Sequence, residues 1–182
     1  DIAFLYTGGE IDVDLTWGEG GIYRGTTIKP KIRIDQREGG DIQADLCNGI
    51  LLPDRSAKSI VFDLPFVVRR NWDKSDHYIF RKYCGFHTKD EARKFYYTVI
   101  LDAKRVLKRY DFLIVKIQDS SLKDGGTFWA AQEVFQMAIA SGYIAVDQFI
   151  EIAPVPEPLP ANVKRQQKAR KIHCTWWVFK KL

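Results

Sequence analysis

The sequence has few cysteines, few histidines and no long apolar run, and each shortage excludes a class of protein. Its three cysteines, Cys47, Cys84 and Cys174, lie far apart and have no paired spacing. This excludes a disulfide framework, disfavours a zinc cluster with the three histidines, and fits a reducing cytoplasm. The longest apolar runs, such as residues 112–115, are too short to cross a bilayer. We therefore expect a cytoplasmic protein with no metal ion and no membrane partner.

Positive charge is distributed unevenly along the 182 residues, whose net charge is +5. Residues 66–87 and 164–181 together carry a formal charge of +10, which leaves −5 on the rest of the chain. A positive surface on an otherwise acidic body is typical of proteins that bind a polyanion, and nucleic acid is the first candidate. The alternative is that both segments are simply solvated basic loops.

The hydrophobic pattern alternates between strand and helix periods. Strands are expected at residues 11–15, 31–35, 41–45, 59–62, 112–117, 143–152 and 175–179. A capping box of Thr88 and Glu91 begins one helix, and a second helix is expected at residues 128–140, before Gly142. This order predicts an α/β fold with a doubly wound, mostly parallel seven-stranded sheet and an antiparallel edge strand. We expect one domain over residues 1–182.

Four of the expected strands have an aspartate at their carboxyl end, at the last residue or one residue to either side of it. These residues are Asp14, Asp35, Asp45 and Asp63. Ligands of open parallel sheets bind beyond the carboxyl ends of the strands, so four acids in order predict one cleft. Such a cleft would bind a ligand that has hydroxyl and amine groups to donate. The alternative for each residue alone is an ordinary turn aspartate.

Three short motifs follow these strands in a fixed order. The first is a turn with Asp14, Gly18 and Gly20, and Tyr23 stands where a Rossmann dinucleotide fingerprint needs its third glycine. The second is the tetrapeptide at residues 63–66, Asp-Leu-Pro-Phe, and the third is the terminal run His-Cys-Thr-Trp-Trp-Val-Phe-Lys at residues 173–180. Together they resemble the S-adenosylmethionine (SAM)-dependent DNA amino-methyltransferases that modify adenine N6 or cytosine N4.

This resemblance implies a class I, Rossmann-like SAM methyltransferase that transfers a methyl group to the exocyclic amine of a base. It assigns the tetrapeptide Asp63, Leu64, Pro65 and Phe66 to catalysis. It assigns SAM binding to Asp14, Thr16, Gly18, Gly20, Asp35, Asp45 and Leu46. Asp35 would accept from the ribose hydroxyls and Asp45 from the adenine amine, while the backbone of the glycine turn would hold the methionine portion.

The tetrapeptide residues suit this chemistry because the amine lone pair is delocalised into the ring and is poorly nucleophilic. In the family, the first side chain and the second backbone carbonyl accept hydrogen bonds from the amine and orient its nitrogen. Asp63 keeps the first acceptor and Leu64 still has a carbonyl, but proline's locked φ is lost where Leu64 replaces it. Phe66 would stack on a base that has left the duplex. The alternative is a turn aspartate followed by a core phenylalanine.

By charge and by the resemblance, residues 66–87 would form a basic loop over the active site, and residues 164–171 a second phosphate-contacting stretch. The predicted contacts are Arg69, Arg70, Arg81, Lys82, Lys164, Arg165, Lys168 and Arg170. We expect a nucleic-acid substrate, DNA ahead of RNA, and a partner subunit could supply target recognition. Two alternatives remain open: an RNA base amino-methyltransferase, and a non-catalytic methyltransferase-like subunit that binds nucleic acid.

Overall fold

The structure of the protein, a computed structural model, describes residues 2–68, 85–122, 126–152 and 171–182. In chain order the elements are α1 (Ile2–Thr7), β1 (Val13–Asp14), β2 (Ile32–Asp35), β3 (Ile42–Gln43), β4 (Ala57–Asp63), α2 (Lys89–Val106), β5 (Leu107–Ile117), β6 (Ser120–Ser121), β7 (Thr127–Phe128), α3 (Ala130–Ala140), β8 (Tyr143–Ile152) and β9 (His173–Lys181). Two 3-10 segments, Gly18–Tyr23 and Leu46–Asn48, follow β1 and β3.

Seven of these strands form one sheet in the order β3-β2-β1-β4-β5-β9-β8. Strands β1 to β5 pair in parallel, whereas β9 runs antiparallel to both β5 and β8. The predicted mostly parallel, seven-stranded α/β sheet is confirmed. The antiparallel strand is β9, which lies one position in from the edge. Its buried residues Val178 and Phe179 suit this inner position, while the edge strand β8 is exposed over most of its length.

Local sequence signals fix where the two long helices begin and end. The Thr88 hydroxyl accepts a hydrogen bond from the Glu91 amide at 3.1 Å, as predicted, while the Glu91 carboxylate accepts from the His87 amide. Helix α3 begins at Ala130 rather than at residue 128, because Thr127–Phe128 pairs as a short strand with β6. The chain leaves α3 through Gly142, whose φ of 80° favours glycine.

The two faces of the sheet carry different layers. Helices α2 and α3 pack on one face and bury Tyr96, Ile100 and Val134 together with strand residues such as Phe62 and Leu113. On the opposite face, α1 and the 3-10 segment after β1 cover a smaller apolar cluster of Ala3, Ile11, Ile28, Val61 and Ile114. In the described ranges, no helix has the length and apolar character needed to cross a membrane.

Parallel pairing brings the predicted acidic residues to one edge of the sheet. Asp14, Asp35 and Asp63 are the last residues of β1, β2 and β4, and Asp45 follows β3 by two residues. The shared edge expected from the sequence is therefore confirmed. The described part of the predicted basic loop consists only of residues 66–68 and 85–87. The predicted nucleic-acid contacts lie outside the described residues: Arg69, Arg70, Arg81, Lys82, Lys164, Arg165, Lys168 and Arg170.

Candidate active site

The glycine turn after β1 is tied by hydrogen bonds to the aspartates on either side of it. Asp14 Oδ1 accepts from the Thr16 amide at 2.8 Å, and Asp35 Oδ2 accepts from the Gly18 amide at 2.7 Å. Asp35 Oδ1 accepts from the Arg37 amide at 2.8 Å. Each Asp35 oxygen therefore makes one backbone bond and keeps a second lone pair for another donor.

Glycine is needed at position 20 because the Trp17 ring packs directly against it. A Cβ there would lie 2.4 Å from the Trp17 ring, and Gly20 has a φ of 67°. The Trp17 ring in turn stacks on Tyr23, with centroids 5.8 Å apart, and lies 5.2 Å from the Arg33 guanidinium. The turn is thus built around a packed indole, with Gly18 also in the left-handed region at φ 47°.

Asp14 is the most unusual charged group of the site. It is completely buried, and its Oδ2 atom has no hydrogen-bond partner among the described residues. The Tyr23 hydroxyl lies beside it but is itself buried without a bond of normal geometry. Burial raises the pKa of Asp14 to about 7, because water no longer solvates the carboxylate. The Thr16 amide and the Tyr23 hydroxyl oppose this rise, and Asp63 and Asp35 add to it. Asp14 is therefore a buried acceptor suited to a cationic donor.

The backbone of the tetrapeptide begins in a network that reaches both neighbouring strands. The Asp63 amide donates to the Thr16 hydroxyl at 2.9 Å, which joins the tetrapeptide to the glycine turn. The Leu64 amide donates to the Lys116 carbonyl of β5 at 2.9 Å. A proline at position 64 would have no N–H for this bond. The hydrogen bond between the Leu64 amide and β5 thus restrains the backbone at position 64, where a proline would have restrained it by fixing φ.

The rest of the tetrapeptide is held through its carbonyls. The Tyr96 hydroxyl of α2 donates to the Pro65 carbonyl at 2.7 Å, and the Ser120 hydroxyl donates to the Phe66 carbonyl. No hydrogen bond from the described residues reaches the Leu64 carbonyl. The Leu64 side chain is 1% exposed and packs in the core. The network therefore leaves one backbone acceptor next to the Asp63 carboxylate.

The charge environment of Asp63 is set by Lys116 on the neighbouring strand β5 and by Glu151 on the edge strand β8. Burial raises the pKa of Asp63 to about 6; Lys116 opposes this shift and Glu151 reinforces it. Lys116 is the register partner of Asp63 across β4 and β5, and its Nζ lies 3.1 Å from the Glu151 carboxylate. At neutral pH the Asp63 carboxylate is therefore mostly ionised and available as an acceptor.

The predicted adenine-binding pair lies at the end of β3. Asp45 is exposed and caps the following 3-10 helix, its Oδ1 accepting from the Cys47 amide at 2.9 Å. Leu46 is buried in the core cluster, so its neighbour Asp45 is the more accessible of the two. The Ala44 amide bonds to the Asp35 carbonyl at 2.9 Å, which links this turn to the end of β2. Among the described residues, no cluster of metal-ligating side chains is present.

Sequence reasoning missed several side chains that shape this site. Tyr23 faces Asp14, Lys116 and Glu151 set the charge around Asp63, and Tyr96 holds Pro65. Lys116 could have been noticed, because it is the one charged residue in the apolar run of residues 112–117. Tyr96 follows the apolar period of its helix, so nothing in the sequence separated its hydroxyl role from ordinary core packing.

The Thr16 hydroxyl makes the link between the turn and the tetrapeptide testable. Thr16→Val keeps the side-chain shape but leaves the Asp63 amide without an acceptor, so we expect a loss of about 1–3 kcal/mol in the free energy of unfolding. Thr16→Ser keeps the hydroxyl and is the matched control. Urea denaturation measures the difference between the two variants, and equal stability of the valine and serine variants would contradict this role.

Comparison with solved structures identifies the fold. The sequence matches no protein-family model and no curated protein. A SAM-dependent methyltransferase from Aquifex aeolicus is 16% identical, with 98% of this chain and 85% of that chain covered and a TM-score of 0.51. One from Methanosarcina mazei is 12% identical, covering 95% and 92%, with a TM-score of 0.52. The fold is that of the class I SAM-dependent methyltransferases.

The same fold is shared with a DNA-modifying enzyme. The PvuII DNA methyltransferase, which is cytosine-N4-specific, is 17% identical, with 75% of this chain covered and a TM-score of 0.54. The match covers 46% of that enzyme, so this chain spans about half the length of the DNA methyltransferase it matches. At this identity the likeness describes the fold.

Proposed function

We propose that this chain is a SAM-dependent methyltransferase that modifies the exocyclic amine of a nucleic-acid base, with adenine N6 in DNA ahead of cytosine N4. The observation that carries the proposal is the pair of acceptors at the end of β4. The Asp63 carboxylate is followed by the Leu64 carbonyl, which accepts no hydrogen bond from the described residues. The other hydrogen bonds of the tetrapeptide backbone fix its position.

The two acceptors suit an amine that carries two hydrogens. Each would accept one N–H bond, which turns the nitrogen lone pair out of conjugation and towards the methyl donor. SAM, when bound, would supply the electrophilic methyl group of its sulfonium and, with that S–C bond broken, would leave as the neutral thioether. As the new N–C bond forms, positive charge develops on the amine, and the Asp63 carboxylate stabilises it. Asp63 then accepts the proton that the methylated amine releases, and passes it to solvent.

The aspartates at the carboxyl ends of β1, β2 and β3 supply acceptors for the amine and hydroxyl groups of SAM. The orphaned Oδ2 atom of Asp14 is a buried acceptor for the methionine ammonium group. Asp35 keeps one lone pair on each oxygen for the ribose hydroxyls, and the exposed Asp45 can accept from the adenine amine through its remaining oxygen. Gly18 and Gly20 let the backbone approach the methionine portion closely.

A nucleic-acid substrate is supported by charge and by the shared fold of a DNA methyltransferase. Residues 66–87 and 164–181 concentrate +10 of formal charge, and the first of them begins at Phe66 itself. Phe66, which is partly buried at the edge of the core cluster, is the candidate stacking surface for an extruded base. An RNA base remains the second candidate, because both nucleic acids offer the same exocyclic amines.

The direct test is to measure methyl transfer from radiolabelled SAM to duplex DNA, single-stranded DNA and RNA, beside calorimetric titration with SAM. The proposal expects saturable SAM binding and label in an exocyclic amine, located by nucleoside mass spectrometry. SAM binding with label in RNA alone would change the substrate. No SAM binding to folded protein would favour the non-catalytic, nucleic-acid-binding subunit.

The basic segment after Phe66 gives a separate prediction on affinity. Replacing its four predicted phosphate-binding residues by alanine should weaken DNA binding and flatten its dependence on salt, by about 0.9 in slope for each phosphate that is no longer neutralised. These residues are Arg69, Arg70, Arg81 and Lys82. The matched control replaces four exposed basic residues elsewhere: Lys58, Lys94, Lys108 and Arg109. An unchanged slope, measured by fluorescence anisotropy between about 50 and 300 mM salt, would mean that the segment is merely solvated.

A further inference from the structure

A charged row crosses the sheet behind the candidate amine site. Lys116 of β5 is the register partner of Asp63 on one side and of Trp176 in β9 on the other. Its Nζ lies 3.1 Å from the Glu151 carboxylate of β8 and 5.1 Å from the centre of the Trp176 ring. The Trp176 indole N–H donates to the same carboxylate at 2.7 Å. The row therefore runs from Asp63 through Lys116 to Glu151.

The geometry ties Lys116 to the tetrapeptide in two ways. Its main-chain carbonyl holds the Leu64 amide, and its side chain, only 16% exposed, lies on the strand next to the Asp63 carboxylate. The ion pair with Glu151 and the Trp176 ring restrict where the ammonium can lie. Along β5 side chains alternate between the two faces of the sheet, and Leu113, Val115 and Ile117 pack in the main core on the face opposite to Lys116. Lys116 therefore lies on the same face as Trp176, its register partner in β9.

We propose that Lys116 is a positioning residue for the methyl-transfer site: its ammonium, held by Glu151 and the Trp176 ring on the strand beside Asp63, stabilises the Asp63 carboxylate as an amine acceptor, and Glu151 limits the strength of that effect. This inference rests on the proposed function of Asp63. A fully uncompensated lysine would oppose the positive charge that develops on the amine. Glu151 neutralises most of the ammonium at longer range, so the nearby Asp63 carboxylate dominates the field at the amine.

The electrostatic surroundings agree with this arrangement. Burial opposes the charged form of Lys116, but Asp63 and Glu151 outweigh it and raise the pKa of the ammonium. The other titratable groups that act on or feel Asp63 are Asp14, Tyr23 and Cys174, and burial raises the pKa of the Cys174 thiol to about 11. Each of these three groups is either uncharged or negatively charged, and none of them can carry a positive charge. Among the described residues facing Asp63, Lys116 is therefore the group that favours its ionised form.

The test compares Lys116→Met, which removes the charge at similar length, with Lys116→Arg, which keeps it. Lys58→Met, at the exposed beginning of β4, is the control. The pKa of Asp63 is read by carbon-13 NMR of the side-chain carboxyl, assigned with Asp63→Asn. The pH profile of kcat/KM for nucleic acid is measured in parallel at saturating SAM, so that the ionisation of Asp14 does not enter it. Lys116→Met should raise both midpoints by about one pH unit, so that activity at about pH 5 falls about tenfold, while the two other variants leave them in place.

Glu151→Gln supplies a shift of opposite sign, which structural damage would not produce. Losing the carboxylate frees the full charge of Lys116, so the Asp63 midpoint should fall rather than rise. An unmoved Asp63 midpoint in folded Lys116→Met protein overturns this inference, even if methyl transfer is present. A shifted NMR midpoint in a protein that transfers no methyl group would confirm the charge pairing and overturn the proposed function instead.

Discussion

Asp63→Ala should nearly abolish methyl transfer while leaving SAM and DNA binding intact. In the proposed mechanism the carboxylate accepts from the amine and stabilises charge that develops only in the transition state, so its loss should lower kcat by about 10²–10³-fold. The backbone bonds of the tetrapeptide do not use this side chain, and they should hold the loop in place. Single-turnover transfer, with calorimetry for SAM and anisotropy for DNA, measures the three quantities separately.

Asp63→Asn is the informative second variant, because it keeps one acceptor oxygen and cannot ionise. We expect partial activity and the disappearance of the acid limb that the wild-type protein should show near the Asp63 pKa of about 6, where this residue becomes protonated. Below that pH the wild-type site loses its charged acceptor. Turnover of Asp63→Ala at the wild-type rate would remove Asp63 from the mechanism.

Asp14→Asn should lose SAM binding and at the same time stabilise the free protein. The orphaned carboxylate oxygen is the proposed partner of the methionine ammonium, and an amide cannot provide that charge. Since the ionised form binds, wild-type affinity should rise about tenfold per pH unit below the Asp14 pKa of about 7 and level off above it. Calorimetric titrations on both sides of that pKa measure this trend. Asp35→Asn should weaken binding but keep the pH dependence, because Asp14 is still present.

The stability effect follows from the direction of the Asp14 shift. The pKa of about 7 in the folded state lies above the unfolded value, so the folded protein holds the proton more tightly. The free energy of unfolding therefore falls as the pH rises from about 4 to about 7, and stays lower above that range. Asp14→Asn removes this penalty, which is worth on the order of 2–4 kcal/mol at about pH 8. Equal thermal stability of both proteins at that pH would contradict the burial of a charged Asp14.

The two predictions together imply that the buried carboxylates of Asp14 and Asp63 lower the stability of the folded protein while providing its proposed binding and catalytic groups. Asp14 and Asp63 both have raised pKa values because the sheet edge withdraws them from water. A bound cation beside Asp14 and an amine beside Asp63 would each relieve that cost. A substitution that neutralises either residue should therefore stabilise the folded protein and, at the same time, weaken SAM binding or lower turnover.

The sequence predicted this edge because short signals marked the ends of the strands. Asp14 and Asp35 follow alternating or apolar runs, and Thr88 and Gly142 mark helix ends through local hydrogen bonding and backbone conformation. Such signals act over a few residues, so they can be read without knowing the fold. The parallel order then placed the acidic residues together, as the structure confirms.

What the sequence could not give is the set of contacts between residues distant along the chain. The Leu64 amide finds the Lys116 carbonyl, and Tyr96 reaches Pro65, across separations set by the parallel pairing and by helix α2. Position 64 shows the difference: the missing proline predicted a loosened tetrapeptide, whereas the sheet supplies a hydrogen bond in its place. No local pattern encodes such a bond.

By itself the sequence determined the seven sheet strands and the two long helices in chain order, the aspartates at the strand ends and the uneven charge, since each depends on near neighbours in the chain. The short elements α1, β6 and β7 were not predicted. Only the tertiary structure decided that β9 lies between β5 and the edge strand β8, and that Asp14 keeps an oxygen unpaired among the described residues. It also decided that Lys116, paired with Glu151, lies on the strand next to Asp63. The physical reason is that burial and charge pairing depend on which strands become neighbours. Those two effects set the pKa values on which the proposed chemistry depends.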